Sequence, residues 1–163
     1  MIRQAVLGDE DDLADVHVTT WQVAYARIFP TEFLESLDRE RRAKWWRNYL
    51  EGGEWAAVSV ADRVVGFCTA HASRDDDSWG EVFSIYVHPD HWDGGHGAGL
   101  LRAGEQRLRD LGFSRAMLWV LEDNLRARSF YERAGWALAR PFRLEEIGGV
   151  QVAEVRYETA LRV

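Results

Sequence analysis

Residues Ser84 to Leu101 read SIYVHPDHWDGGHGAGLL. Four of the six positions from Gly94 to Gly99 are glycine, and an amphipathic stretch follows at once. Glycine weakens a helix and costs chain entropy, so this density at a helix start points to a ligand that must approach bare backbone. The first turn of a helix leaves four N–H groups without intrahelical partners, and the macrodipole adds partial positive charge there. A strand running into such a start aims those donors at one point, which suits a phosphate or diphosphate. The successive N–H groups of Gly95, His96, Gly97, Ala98 and Gly99 then form a nest for an anion. Two common phosphate patterns do not fit. No lysine follows the glycines as in G-x-x-x-x-G-K-[ST], and the phase Gly95-x-Gly97-x-Gly99 departs from G-x-G-x-x-G. The acidic ribose ligand expected about 20 residues after a dinucleotide turn is also missing, because Asp110 is too near and lies within the helix.

Other residues invite chemistry less strongly. His88, His91 and His96, with Asp90 and Asp93, suggest a metal cluster, but the spacing matches no hydrolase pattern such as H-E-x-x-H and the residues lie on a bending loop. No metal is expected. Cys68, the one cysteine, sits in the apolar run Val64 to Ala70 with no basic neighbour to activate it, and reads as a small core residue. Trp21, Tyr25 and Phe29 fall at i, i+4 and i+8, which serves either helix packing or an aromatic wall. Glu81 heads a strand, while Asp75 to Asp77 belong to a polar loop.

The elements that must position these residues follow from periodicity. Ile2 to Val6 is a short strand. Asp9 is a candidate N-cap with Asp12 as a capping-box analogue, opening a helix that runs on until Pro30. A second helix covers Glu40 to Leu50, with Gly52-Gly53 as its stop. The period then changes to two. Trp55 to Val60, Val64 to His71 and Trp79 to Val87 are strands, the last apolar on both parities and therefore central. The glycine turn opens a helix that closes at Gly112. Arg115 to Val120 is a strand, and Asn124 to Ala134 is a helix closed by Gly135. Trp136 to Leu144 and Val150 to Thr159 form a hairpin about Gly148-Gly149. Seven strands interleaved with helices give an α+β arrangement in one domain over residues 1–163, with a mixed sheet covered on both faces.

Composition sets the partners. The chain has 163 residues, 47% of them hydrophobic, and a net charge of −7. That supports a folded core and, without a basic stripe, excludes a nucleic-acid surface. With no signal peptide and no apolar run near 18 residues, a soluble, cytoplasmic protein with no membrane association is expected.

The sequence "EDNLRARSFYERAGW" places Asn124, Ala127 and Tyr131 at helical spacing before Gly135-Trp136. Taken with V-x-P and G-x-G upstream, the pattern N-x-x-A-x-x-x-Y-x-x-x-G resembles the GNAT superfamily of N-acetyltransferases. The match is specific from Trp79 to Trp136, and the order of elements resembles that fold over nearly the whole chain. The resemblance implies a mostly antiparallel, twisted sheet of about seven strands and acetyl-CoA as cofactor. It implies a diphosphate on the Gly95–Gly99 turn, pantetheine amides along the strand ending at Tyr86 and Val87, and Asn124 holding the arm. It implies direct attack by a primary amine of a small molecule or peptide. Glu81 is the matching general base and Tyr131 the acid for the departing thiol. Backbone N–H groups near Tyr86 and Val87 would face the developing oxyanion. Trp21, Tyr25 and Phe29 would wall the acceptor pocket. A homodimer is common among similar proteins. One departure stands out. The family pattern begins with Arg or Gln three residues before its first glycine, where this chain has Trp92 followed by Asp93. Weaker or rearranged cofactor binding is expected, with Arg102, Arg126 or Arg128 as alternative cations. A non-catalytic CoA-binding or sensor module is the alternative reading.

Overall fold

In the computed structural model, which describes residues 1–162, seven strands form one sheet. They are Ile2–Gln4 (β1), Ala56–Val60 (β2), Val64–Ala72 (β3), Gly80–Val87 (β4), Arg115–Leu121 (β5), Ala137–Ile147 (β6) and Val150–Ala160 (β7), in the order β1-β2-β3-β4-β5-β7-β6. Every neighbouring pair is antiparallel except β4 and β5, which are parallel. The helices are Glu10–Ala24 (α1), Thr31–Glu35 (α2), Arg39–Glu51 (α3), His96–Asp110 (α4) and Leu125–Arg133 (α5). The mixed, mostly antiparallel sheet expected from the sequence is therefore present.

Both faces of the sheet are covered, which is why β3 is apolar on both parities and buried from Val64 to Ala70. On one face Leu100, Leu101 and Leu108 of α4 pack with Cys68, Ala70, Val82, Leu118 and Tyr157. On the other, Leu13 and Val16 of α1 and Trp46 of α3 pack with Val58 and Phe67. Cys68 is fully buried, and burial pushes its thiol far above the ordinary range, so it is a core residue and not a nucleophile.

Local rules are not followed in three places. Asp9 stands at the N-cap of α1 but makes no side-chain cap. Its oxygens instead accept from Arg3 at 2.8 and 2.9 Å and from the Val6 N–H at 2.9 Å. Asp12 leaves the expected capping box to accept from the Val64 N–H at 3.0 Å. The first helix stops at Ala24, and α2, a helix of five residues, was too short to show a period. The β6–β7 turn is a hairpin as expected, with φ of +59° and +77° at Gly148 and Gly149. A Cβ on Gly148 would lie 2.5 Å from the Phe33 ring, so glycine lets the hairpin tip dock on α2.

Gly66 of β3 marks the closest approach beneath the end of β4. A Cβ there would lie 2.9 Å from the Tyr86 carbonyl oxygen and 3.0 Å from Leu100 Cδ1. Neither the strand backbone nor a buried leucine can move aside freely. Gly66→Ala is expected to lower stability by about 1–3 kcal/mol, measured as a lower urea midpoint at unchanged slope.

Candidate active site

Strands β4 and β5 pair only at Gly80 and Glu81 against Ala116 and Met117. Beyond that point they separate, and a cleft of about 440 Å³ opens between Val82–Val87 and Trp119–Leu121. A bulge begins where the pairing ends. Thr69 faces Ser84 but Ala70 faces Val82, so Phe83 is an extra residue on β4. Bulges bend a strand and increase its twist, here away from β5. The His88 N–H donates to the Val65 carbonyl at 2.8 Å, which sets the phase of the antiparallel ladder. By alternation Tyr86 spends its N–H and C=O on Phe67 of β3, while those of Ile85 and Val87 point into the cleft. The Val87 carbonyl accepts from Trp92 Nε1 at 2.8 Å and from Thr20 Oγ1 at 3.2 Å. Of the two expected backbone donors, only the Val87 N–H is thus directed at the cleft. Tyr86 presents its ring and hydroxyl.

The glycine turn borders the same cleft. Gly95 precedes α4 with φ +80°, and no cap side chain serves this helix start. Among the described residues the N–H groups of Gly95, His96, Gly97 and Ala98 have no protein acceptor. Gly99 differs: its N–H donates to the Gly95 carbonyl at 3.2 Å and is already part of the helix. Its lack of a side chain serves packing, since a Cβ would lie 3.2 Å from Ile2. The N–H groups left free at this helix start are therefore those of residues 95–98. His96 Nδ1 is within 2.8 Å of Ser59 Oγ, and the ring centroids of His88, His91 and His96 are about 6 Å apart in sequence. Among the described residues no group of three His, Cys, Asp or Glu side chains is placed to hold a metal.

Tyr131 of α5 reaches the cleft from below, buried at 8% exposure, and burial holds its phenol far above its ordinary value. Asn124 caps α5, its Oδ1 accepting from the Ala127 N–H at 3.2 Å, and also lines the cleft. Glu81 is 5% exposed and lies in an adjoining pocket of about 240 Å³. Phe83, Trp119 and Glu154 form walls common to both cavities. Burial, and after it the nearby Asp75 carboxylate, pushes Glu81 up to about 7 against the pull of Arg143, Ser73 and Arg74. Asp75 lies exposed in the polar loop expected from the sequence, and its charge still bears on Glu81.

One end of the cleft is aromatic. Trp21 and Tyr25 line the cleft with Tyr86. Burial raises the Tyr25 phenol, and Tyr86 and Asn124 bear on its hydroxyl. Phe29 is not on the cleft. The chain turns after Ala24, and Phe29 stacks behind Trp21 at 5.8 Å, 4% exposed. Sequence reading did not find Thr20, Trp119, Glu154 or Arg143. Arg143 lies over the Trp119 ring at 4.4 Å and reaches Glu154 at 3.3 Å. In β7, Glu154 shares its parity with Arg156 and Glu158, so the ordinary alternation of the strand gave no signal.

The sequence profile of the acetyltransferase (GNAT) family matches residues 18–136. The uncharacterized N-acetyltransferase YuaI of Bacillus subtilis is 32% identical over 76% of this chain and 72% of its own length. The mycothiol acetyltransferase of Actinosynnema mirum is 40% identical over 61% of this chain, a match that spans only 32% of that enzyme. In overall shape the chain is similar to PaiA N-acetyltransferase from Thermoplasma acidophilum, solved in complex with coenzyme A. That likeness has a TM-score of 0.73, 22% identity and 98% coverage of both chains. YncA from Salmonella typhimurium, solved with acetyl-CoA, gives a TM-score of 0.71 at 20% identity, covering 99% of this chain and 94% of that one. Among the described residues no helix is long and apolar enough to cross a membrane.

The cap at Asn124 can be separated from any role in the cleft. Asn124→Ala removes the acceptor for the Ala127 N–H and is expected to cost about 1 kcal/mol. Asn124→Ser restores a capping oxygen and is expected to keep stability within about 0.5 kcal/mol of the parent. Urea denaturation of both variants checks the difference.

Proposed function

The chain belongs to the acetyltransferase (GNAT) family, and from that premise we propose that it moves the acetyl group of acetyl-CoA directly to a primary amine. Glu81 serves as general base and Tyr131 as general acid. One observation carries the reading: unpaired N–H groups at residues 95–98 and the unpaired edge of β4 open on the same cleft as Tyr131.

The residues present fit coenzyme A. The four N–H groups at 95–98 suit its diphosphate. The free backbone groups of Ile85 and Val87 suit an extended chain of amides, which would add to the β4 edge as a strand does. Bound there, acetyl-CoA supplies an activated acyl thioester.

An acceptor amine arrives largely as ammonium. With an ordinary pKa near 10.4, only about one molecule in 10³ to 10⁴ is neutral at neutral pH. Glu81, poised near 7, accepts that proton directly or through water. The Val87 N–H offers a donor to charge developing on the acyl oxygen. Tyr131, held in its protonated form by burial, gives a proton to the departing sulfur. Trp21, Tyr25 and Tyr86 wall the acceptor with aromatic faces that favour a cation, and the net charge of −7 favours it as well. The acceptor is a small-molecule or peptide amine, and the reading includes a cytoplasmic location, where a lone free thiol is at home.

Release of free thiol from acetyl-CoA, followed across a panel of primary amines, is expected to show turnover. Tight CoA binding with no thiol release from any amine would overturn the enzyme reading in favour of a sensor module. Because the Glu81 carboxylate is raised, its basic form is lost as pH falls, so kcat/KM is expected to climb through an inflection near 7. Glu81→Gln is expected to abolish that inflection and lower kcat/KM about 10²-fold. Its melting temperature at pH 8 should be no lower than the parent's, since the neutral isostere no longer buries a charge. Tyr131→Phe is expected to lower kcat about 10²-fold while leaving the Kd for acetyl-CoA nearly unchanged. Equal loss of both would remove the acid role.

A further inference from the structure

Trp92 occupies the position where the family pattern carries Arg or Gln, and its surroundings show what has taken over. Its indole Nε1 donates to the Val87 carbonyl at 2.8 Å, pinning the loop against the end of β4. The face of the same ring carries the guanidinium of Arg126, from the first turn of α5, at 4.4 Å. Arg126 also donates to Asp93 Oδ1 at 2.9 Å. Asp93 has φ +64°, a left-handed conformation that aspartate tolerates better than most residues. Arg126, Trp92, Asp93, Gly95 and Gly97 all border the cleft. The two other arginines considered from the sequence are placed elsewhere. Arg128 donates to the Glu122 carbonyl at 3.0 Å and to the Tyr157 hydroxyl at 3.2 Å, and Arg102 does not line the cleft.

We propose that Arg126 is the cation of the diphosphate site, carried on the face of Trp92 and exchanging Asp93 for the diphosphate when coenzyme A binds. The inference rests on the coenzyme A reading above. Free N–H groups supply only partial positive charge, and Asp93 places a full negative charge beside them. Without Arg126 the turn would set a carboxylate against a polyanion. The pair that Arg126 makes with Asp93 is easily given up. Its side chains are 52% and 85% exposed, and exposed pairs contribute little. Only one guanidinium nitrogen is engaged by Asp93, so the rest of the planar fork is free for bidentate contact with phosphate oxygens. The Trp92 face holds the guanidinium beside the turn beforehand, which lowers the ordering cost of binding.

Calorimetric titration of coenzyme A and of dephospho-coenzyme A, which lacks the 3′-phosphate, into the full chain tests this. Arg126→Gln is expected to weaken both ligands by about 10- to 100-fold, the loss of charge-assisted hydrogen bonds. Asp93→Asn is expected to tighten both about threefold, a gain that a merely structural role for the pair would not produce. Trp92→Arg placed on Arg126→Gln is expected to recover most of the lost affinity. Arg126→Gln within about twofold of the parent, weaker binding by Asp93→Asn, or no recovery in the double variant would each overturn the proposal. So would a penalty that vanishes with dephospho-coenzyme A, which would move Arg126 to the 3′-phosphate. Absence of binding by the parent chain would instead count against the coenzyme A reading itself.

Discussion

Beyond Gly80 and Glu81 the inner edge of β4 has no strand beside it. Inside a sheet that arrangement is costly, because each buried N–H or C=O left without a partner loses its water and gains nothing in return. The bulge at Phe83 starts the divergence, and the molecule then manages the exposed groups one by one. The Val87 carbonyl is satisfied by Thr20 from α1 and by Trp92 from the following loop. The remaining groups of Ile85 and Val87 face the cleft, where an extended ligand with its own amides would complete the ladder. The same gap brings two helix starts together, since the open N–H groups at the start of α4 and the Asn124 cap of α5 both border it. The proposed cofactor site and the fold thus share one cause: a parallel pair of strands that stops pairing after two residues.

Burial sets the proton chemistry around this gap in a single direction. The phenols of Tyr25, Tyr86 and Tyr131 are all raised chiefly by burial. His17 of α1, packed against Phe67 and Tyr86, is driven down to about 3 by burial and by Arg42. Each group is pushed toward its neutral form, as a dry cavity requires. Glu81 is held short of that extreme because Arg143 and Arg74 oppose burial and the Asp75 carboxylate. Arg143 is itself fixed by Glu154 at 3.3 Å, Glu145 at 3.5 Å and Asp75 at 3.8 Å. A residue of the β6–β7 hairpin therefore shapes a pocket wall over Trp119 and also opposes the rise of the Glu81 carboxyl on β4.

Strand and helix boundaries were readable where the signal was local. Gly52-Gly53, Gly112, Gly135 and Gly148-Gly149 punctuate the chain, and β3 and α3 fall within two residues of their expected limits. The glycine turn from Gly95 to Gly99, Tyr131 and Asn124 were visible as candidates through a short pattern of residue types, and Glu81 through its place at the head of β4. What stayed hidden depends on contacts between distant segments. Asp12 obeys a capping rule in sequence but is claimed by the Val64 N–H of β3. Phe29 has helical spacing from Trp21, yet the chain turns after Ala24. Trp119 reaches the site from β5, which flanks the gap, and Glu154 from β7 beyond it, and nothing in their neighbours' identities distinguishes them from ordinary sheet residues.

The loss of a cation at position 92 illustrates the same difference between a linear pattern and a field in space. A motif records the residue from which charge usually comes. The potential at an anion site depends on distance and dielectric, with no regard to position along the chain. Here α4 and α5 start beside the same gap, so a guanidinium on α5 lies within stacking distance of the ring that replaced the usual side chain. The ring anchors the loop through Nε1 and offers its face to the arginine, two functions that a lone arginine at that position could not combine. A substitution that looks like a defect along the sequence is, in three dimensions, a relocation of charge with its own support.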